Sequence, residues 1–246
     1  MIELKRYSAK TDQGPFLNVN EDDVDVDIIN KLYLLFDGFG GAGIGDESVK
    51  IVRDNIKSFY LKFGSDPDST FPFYYSPKYL LEGNALVNAI NYSHDILKKH
   101  NKSKEMSDRG GASGICISQA ENILTFVATG NCISYLFRMG EMTTVTSPDS
   151  LRNVSGDNFL SYLHSCPLSG FGLFDNVHLK VSEVKVRPGD LILLMSDGVY
   201  SRLAKEEVRF TLGKSDLDLE ERIDTLFDLA NDRGNKDNQS AIILEF

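Results

Sequence analysis

Two apolar runs that each lead into an Asp-Gly pair constrain the fold of this chain more than any other feature. Leu32–Phe36 is followed directly by Asp37, Leu191–Met195 is followed after one serine by Asp197, and a glycine comes next in both places. Five consecutive apolar residues are typical of strands that are buried on both faces. A carboxylate at the end of such a strand is costly unless it has a partner or a cation. The sequence therefore predicts two central strands that carry acidic groups at their ends.

The order of the remaining elements predicts an α+β fold. Apolar residues recur at helical spacing over 46–63, 79–100 and 217–232, and Asp218 with Glu221 forms a capping-box-like start of the third helix. Short apolar or alternating segments predict further strands over 113–118, 123–129, 133–138, 141–146, 179–186 and 241–246. Because the strands come in meanders and the helices in separate groups, we expect antiparallel sheets covered by helices, in one domain over residues 1–246.

Composition limits the classes of partner. The chain has 246 residues, with 26 Lys and Arg against 36 Asp and Glu, for a net charge of −10. A chain this acidic has little to offer a phosphate backbone, so we expect no nucleic-acid partner. No apolar run approaches the roughly 20 residues that cross a bilayer, and the first residues carry no signal-like apolar segment, so no membrane association is expected. The three cysteines are expected to be buried free thiols of a cytoplasmic protein, since their count is odd and their spacing is not that of metal ligands: Cys116, Cys132 and Cys166.

Further acidic residues stand beside predicted strands. Asp237 lies just before the last strand, and Glu21 and Asp22 lie near the start of the chain. Without a His or Cys cluster, an oxygen-only ligand set favours Mg²⁺ or Mn²⁺ over Zn²⁺. A single Asp-Gly pair is usually a turn, and the acidic stretch 22–27 alone would most often be a solvated loop. The recurrence of these residues at strand ends is what indicates a site.

Gly38–Gly43 also satisfies the G-x-G-x-x-G pattern between a predicted strand and a predicted helix, so a dinucleotide-binding oxidoreductase is one alternative. That fingerprint needs an acidic residue about 20 positions further on, at the end of a second parallel strand. Asp66 and Asp68 fall instead in a segment rich in Gly, Ser and Pro, and a meander follows. The residues that follow Gly38–Gly43 therefore do not favour dinucleotide binding.

Five short motifs occur in a characteristic order along the chain. They are Thr-Asp-Gln-Gly through Asn-Glu-Asp (11–22), Phe-Asp-Gly-Phe-Gly-Gly (36–41), Gly-Gly-Ala-Ser (110–113), Leu-Met-Ser-Asp-Gly-Val (194–199) and Asp-Asn (237–238). This order resembles that of the metal-dependent protein phosphatases of type 2C, over nearly the whole chain. The resemblance implies a four-layer αββα sandwich, with two antiparallel β-sheets flanked by helices. It also implies hydrolysis of phosphoserine and phosphothreonine in a phosphorylated protein substrate, by a monomer active in signal transduction.

The resemblance also implies roles for individual residues. Asp37 would bridge two Mn²⁺ or Mg²⁺ ions, with the Gly38 carbonyl on one ion and Asp197 and Asp237 on the other. A water shared by the two cations would attack phosphorus in line, so that no protein nucleophile is needed. Two acidic residues of the opening segment would hold metal-bound waters from further out: Glu21 and Asp22.

Two positions depart from the family pattern. Leu17 stands where the family usually has an arginine that grips the substrate phosphate, and Asn131 stands where it has the aspartate of a third, weaker metal site. Asn131 and the Pro-Leu segment that begins at Pro167 are similar to the stage II sporulation E-type branch of these phosphatases. The two degenerate positions leave an alternative open, a catalytically weak or inactive pseudophosphatase that acts as a binding or regulatory module.

Overall fold

The computed structural model describes residues 2–40, 43–65, 70–151 and 166–246, and within these ranges ten strands form two antiparallel sheets. The strands are β1 (Arg6–Asp12), β2 (Asp22–Asp27), β3 (Leu32–Phe39), β4 (Gly111–Ala120), β5 (Ile123–Thr129), β6 (Ile133–Arg138), β7 (Glu141–Thr146), β8 (Lys180–Lys185), β9 (Leu191–Met195) and β10 (Gln239–Glu245). The helices are α1 (Ile44–Ser65), α2 (Leu81–Lys102), α3 (Asp197–Tyr200), α4 (Lys205–Gly213) and α5 (Leu219–Asp232), with a 3₁₀ turn at Met106–Asp108. The strand order is β1-β10-β9-β6-β7 in the first sheet and β2-β3-β4-β5-β8 in the second.

The buried side chains of β3 show how the layers are arranged. Successive side chains of a strand point to opposite faces of its sheet. Leu34 and Phe36 belong to the apolar cluster shared with α1 and α2, whereas Tyr33 and Leu35 belong to the cluster between the two sheets. On the far side of the first sheet, Leu193 of β9 belongs to a third cluster shared with α4 and α5. The chain is therefore a four-layer αββα sandwich, as the resemblance implies.

The acidic stretch 22–27 is the strand β2, and its interpretation as a solvated loop is wrong. Val24 and Val26 pack against the cluster between the sheets. On the other face the aspartates reach α1, where Lys57 Nζ lies 2.6 Å from Asp25 Oδ2. The period-two alternation of a half-buried strand is present, but acidic residues at every second position gave it the appearance of a loop.

The three predicted helices are confirmed, with ends within two residues of those expected. The capping box of α5 is also confirmed, since Asp218 Oδ1 accepts a hydrogen bond from the Glu221 N–H at 2.9 Å. The cysteine prediction is wrong at one position. Cys116 and Cys132 are buried free thiols, but Cys166 is exposed because it lies outside both sheets. No helix in the described ranges is long and apolar enough to span a bilayer.

Both ring nitrogens of the buried His94 on α2 have partners. Nδ1 accepts a hydrogen bond from the Gly172 N–H at 3.2 Å, so the Nε2–H donates to the Phe174 carbonyl oxygen at 3.0 Å. Burial lowers the pKa of His94 below its ordinary value of 6.5. The native ring is therefore neutral, and it fixes the segment that contains Gly172 and Phe174 against α2.

We expect His94 to make the protein less stable in mild acid. As the pH falls below about 6.5, the unfolded chain binds a proton that the native ring excludes. The free energy of unfolding then drops by up to about 1.4 kcal/mol per pH unit until the native pKa is reached. Urea unfolding at about pH 7.5 and about pH 5.5 measures the effect, and the wild type should lose more stability between them than His94→Gln does. Equal losses in the two proteins would contradict this prediction.

Candidate active site

Four aspartates from both sheets lie together at one end of the sandwich. In the second sheet, the antiparallel register of β2 and β3 places Asp22 directly opposite Asp37. In the first sheet, Asp197 follows β9 and Asp237 precedes β10, and these two strands are paired neighbours. The charges of the other three aspartates all act on Asp37. The fold thus brings together the acidic groups that the sequence places at separate strand ends.

Burial raises the pKa values of Asp37, Asp22 and Asp237, and repulsion by neighbouring aspartates adds to the shift at Asp37 and Asp22. Burial is the main cause at Asp37, and the neighbouring aspartates raise its pKa further, to well above the ordinary value. Burial also raises the pKa of Asp22 to about 8, although the hydroxyls of Ser196 and Ser240 hydrogen-bond to its side chain and oppose the shift. Asp237 lies at the exposed edge of the cluster, and partial burial of its carboxyl group raises its pKa as well. Like charges held together away from water strongly favour a cation between them.

Two carboxylate oxygens of the cluster are buried without a hydrogen-bond partner among the described residues: Asp22 Oδ2 and Asp37 Oδ2. A buried ionised oxygen without a donor is destabilising unless a cation binds it. Within the described ranges, no three His, Cys, Asp or Glu side chains already form an arrangement that could hold a metal ion. A cation would therefore have to draw the carboxylates inward. The chemistry of the donors, which are all oxygen, fits Mg²⁺ or Mn²⁺.

The buried Asn238 ties the N-terminal segment to the cluster. Its Oδ1 accepts a hydrogen bond from the Glu21 N–H at 2.9 Å, and its Nδ2 donates to the carbonyl oxygens of Gln13 at 2.8 Å and Val19 at 3.0 Å. These three bonds hold the segment 13–21 against the start of β10. The sequence indicated Asn238 only as part of a motif, and its positioning role comes from contacts more than 200 residues apart along the chain.

Glu21 connects the cluster to the start of α1. Its Oε1 accepts a hydrogen bond from the Gly43 N–H at 2.7 Å, and its carbonyl oxygen accepts one from the Gly38 N–H at 3.1 Å. A Cβ atom at Gly38 would lie only 2.4 Å from that carbonyl oxygen, so the close approach requires glycine. Burial raises the pKa of Glu21, although the N–H groups at the start of α1 oppose the shift.

Asn131 and Leu17, the two degenerate positions, have contrasting environments. Asn131 is buried, and its Nδ2 donates a hydrogen bond to Asp197 Oδ2 at 2.9 Å. Its carbonyl oxygen accepts a hydrogen bond from the Tyr200 hydroxyl at 2.5 Å. Asn131 therefore orients Asp197, a role that sequence reasoning missed because it treated the residue only as a lost charge. Leu17 is 39% exposed and offers no polar group to a phosphate.

The dinucleotide-binding alternative is wrong. β3 does lead through the glycine-rich segment into α1, although residues 41 and 42 of that segment lie outside the described ranges. However, β3 pairs antiparallel with both β2 and β4. A dinucleotide fold needs a second parallel strand after the helix, whereas the strands described after α1 begin with an antiparallel meander.

Comparison with solved structures finds the same fold in bacterial phosphatases. The serine/threonine phosphatase PstP/Ppp of Mycobacterium tuberculosis matches with a TM-score of 0.78 and 23% identity, over 98% of each chain. PppA, a regulatory component of T6SS in Pseudomonas aeruginosa, matches with a TM-score of 0.80 and 21% identity, over 98% of this chain and 96% of that one. The chain has the PPM phosphatase fold.

A third matching structure contains metal. It is the catalytic domain of the phosphatase PstP in complex with two manganese ions, with a TM-score of 0.77 and 22% identity, over 98% of this chain and 97% of that one. No protein-family model and no curated protein sequence matches the chain. The similarity to these phosphatases is thus one of three-dimensional structure, and it extends over the entire sandwich.

Proposed function

We propose that this protein is a metal-dependent phosphatase that hydrolyses phosphoserine and phosphothreonine esters in proteins. The observation that carries the proposal is the cluster of four aspartates, supplied by both sheets, in which two buried carboxylate oxygens have no hydrogen-bond partner among the described residues. The PPM phosphatase fold supports it, since one solved structure with this fold is a serine/threonine phosphatase in complex with two manganese ions.

Five residues would form the centre. Asp37 would contact both of two Mn²⁺ or Mg²⁺ ions, the Gly38 carbonyl would complete one site, and Asp197 and Asp237 would complete the other. Two divalent cations, when bound, supply an activated water and neutralise phosphoryl oxygens. Asn131 would keep Asp197 in the orientation that its amide hydrogen bond fixes.

The surrounding residues would set the position of water and substrate. Asp22, which lies opposite Asp37, and Glu21, whose carboxylate is bonded to the Gly43 N–H, would hold waters at the centre. Asn238 keeps both residues in place through the segment 13–21. Since Leu17 cannot form a charge-assisted contact, the cations would bind the phosphate without the help of an arginine at this position.

The alternative of an inactive pseudophosphatase is not favoured. A chain that no longer held metal would keep several buried carboxylates whose repulsion is not compensated, and such groups destabilise a fold. Retention of Asp37, Asp197 and Asp237 is therefore better explained by a site that binds cations.

Phosphate release from a phosphothreonine peptide tests the proposed function. We expect turnover with Mn²⁺ or Mg²⁺, none with EDTA, and recovery when metal is added back. Asp197→Asn should reduce the rate about a thousandfold, or roughly 4 kcal/mol of transition-state stabilisation. Asp228→Asn, the same change at an exposed position of α5, is the matched control and should leave the rate unchanged. Hydrolysis that persists in EDTA, or in Asp197→Asn, would contradict the proposal.

A further inference from the structure

A groove of about 820 Å³ lies between the C-terminal end of α2 and the segment 172–175. Asn101 of α2 joins its walls, because its Nδ2 donates to the Gly110 carbonyl oxygen at 2.6 Å and lies 3.5 Å from the Gly172 carbonyl oxygen. His94, seven residues before Asn101 in α2, fixes Gly172 and Phe174 through its two ring nitrogens. The groove is therefore built on backbone that buried side chains hold in place.

The groove lies at the same end of the second sheet as the aspartate cluster. The register of β3 and β4 places Asp37 opposite Ser113, and Gly110, which lines the groove, precedes Ser113 by three residues. At about 3.3 Å per residue of strand, the groove begins about 10 Å along the chain from Ser113, the residue opposite Asp37. An extended peptide whose phosphorylated residue lay at the cluster would therefore bring a side chain about three or four positions away to the groove.

The groove carries positive charge on a protein of net charge −10. Lys98, Lys102 and Arg109 line it, and among the described lining residues only Asp175 carries a carboxylate. Lys98 Nζ lies 3.5 Å from Asp95 Oδ1 and donates a hydrogen bond to the Asp175 carbonyl oxygen. Lys102 and Arg109 are exposed, and neither forms an ion pair with a carboxylate of the described residues.

The dipole of α2 explains only part of this charge. Basic residues in the last turn of a helix are common, because they complement the negative end of its dipole, and this accounts for Lys102. Arg109 lies outside the helix, beyond the 3₁₀ turn, yet it faces the same groove. Three exposed apolar side chains also line the groove, Met106, Leu173 and Phe174, and they can cover the backbone and the aliphatic parts of a bound chain.

From this position and charge, and resting on the proposed function, we infer that the groove binds acidic side chains that flank the phosphorylated residue of the substrate protein. Opposite charges across an interface accelerate association and discriminate against partners of the wrong charge. The groove would thus make the enzyme selective for phosphorylation sites with Asp or Glu about three or four positions away, while the chemistry at the aspartate cluster stays the same.

The test compares two phosphothreonine peptides that differ only in carrying Glu or Lys at those flanking positions. The wild type should have the lower KM for the Glu peptide. The double variant Lys102→Glu, Arg109→Glu should raise the KM of the Glu peptide about tenfold, lower that of the Lys peptide, and leave kcat unchanged. Hydrolysis of p-nitrophenyl phosphate, which cannot reach the groove, should not change.

Lys78→Glu is the matched control, because Lys78 is exposed beyond the other end of α2, about 33 Å away for a helix of 22 residues. It should change neither KM. Equal KM values for the Glu and Lys peptides in the wild type, or equal effects of Lys78→Glu and the double variant, would overturn the inference.

Binding without catalysis separates this inference from the proposed function. A fluorescent, unphosphorylated Glu-rich peptide in EDTA should bind the wild type and lose about tenfold in affinity with the double variant. That result would stand even if no phosphoester were hydrolysed. A single-stranded oligonucleotide that displaced the peptide more effectively than unlabelled peptide does would overturn the inference, because it would assign the groove to nucleic acid.

Discussion

Asp37→Asn is expected to make the metal-free protein more stable and to abolish its stabilisation by Mn²⁺. Asp37 is half-buried and lies beside three other aspartates, and its buried Oδ2 has no hydrogen-bond partner in the described ranges. The isosteric amide removes one of the repelling charges, which should increase the free energy of unfolding by roughly 2 kcal/mol. For a chain of this size, that corresponds to a melting temperature about 4–8 °C higher in EDTA.

Metal, in contrast, should stabilise the wild type. A cation that binds only the native state at a concentration about a hundredfold above its Kd adds about 2.7 kcal/mol to the stability of the wild type. Asp37→Asn, which lacks the shared ligand, should show little of this increase. Thermal melts with EDTA and with Mn²⁺ measure both effects, and Asp228→Asn is the control for a simple change in net charge. A variant that melts lower than the wild type in EDTA, yet still responds fully to Mn²⁺, would contradict the account.

Gly198→Ala is expected to destabilise the protein severely. A Cβ atom at this position would lie 1.8 Å from the carbonyl oxygen of Asn238, which is backbone and cannot rotate away. The neighbouring strands β9 and β10 are in register just beyond this point, with Met195 opposite Ala241, so neither chain can shift without breaking their pairing. We expect a loss of about 3 kcal/mol or more, which corresponds to a fall in melting temperature of about 6–12 °C.

The same substitution in another helix is the control for Gly198→Ala. Gly213, the last residue of α4, has only an ordinary 3.6 Å contact for an added Cβ, with Phe137. Alanine there should be neutral or stabilising by up to about 1 kcal/mol, since alanine favours helix more than glycine does. Thermal melts of both variants in EDTA measure the two changes in stability. A melting temperature of Gly198→Ala close to that of the wild type would mean that Gly198 does not approach the Asn238 carbonyl oxygen in this way.

The main acidic residues of the candidate site could be predicted from the sequence because of their position in simple patterns. Asp37 and Asp197 each follow a run of apolar residues long enough to define a buried strand, and Asp237 lies four residues before the start of another. Burial on both faces leaves a strand few alternative placements, so the strand ends could be located without knowledge of the packing. The four-layer arrangement itself came from the order of motifs and is confirmed by the packing.

Other parts of the site depend on contacts that no local sequence pattern indicates. The amide of Asn131 reaches Asp197, and Asn238 reaches Gln13, across separations of 66 and 225 residues. A polar residue in the sequence does not indicate which distant group it will contact. The groove between α2 and the segment 172–175 could not be predicted for the same reason, since its walls come from segments about 70 residues apart.

Equilibrium dialysis against Mn²⁺ tests most directly the central claim that the aspartate cluster is a two-cation centre. The wild type should bind two Mn²⁺ ions per chain, and Asp228→Asn should also bind two. Asp37→Asn should bind fewer than one at the same free concentration, because the ligand shared by both ions is missing. If the wild type binds no more Mn²⁺ than Asp37→Asn does, the cluster is not a metal centre and the account is wrong.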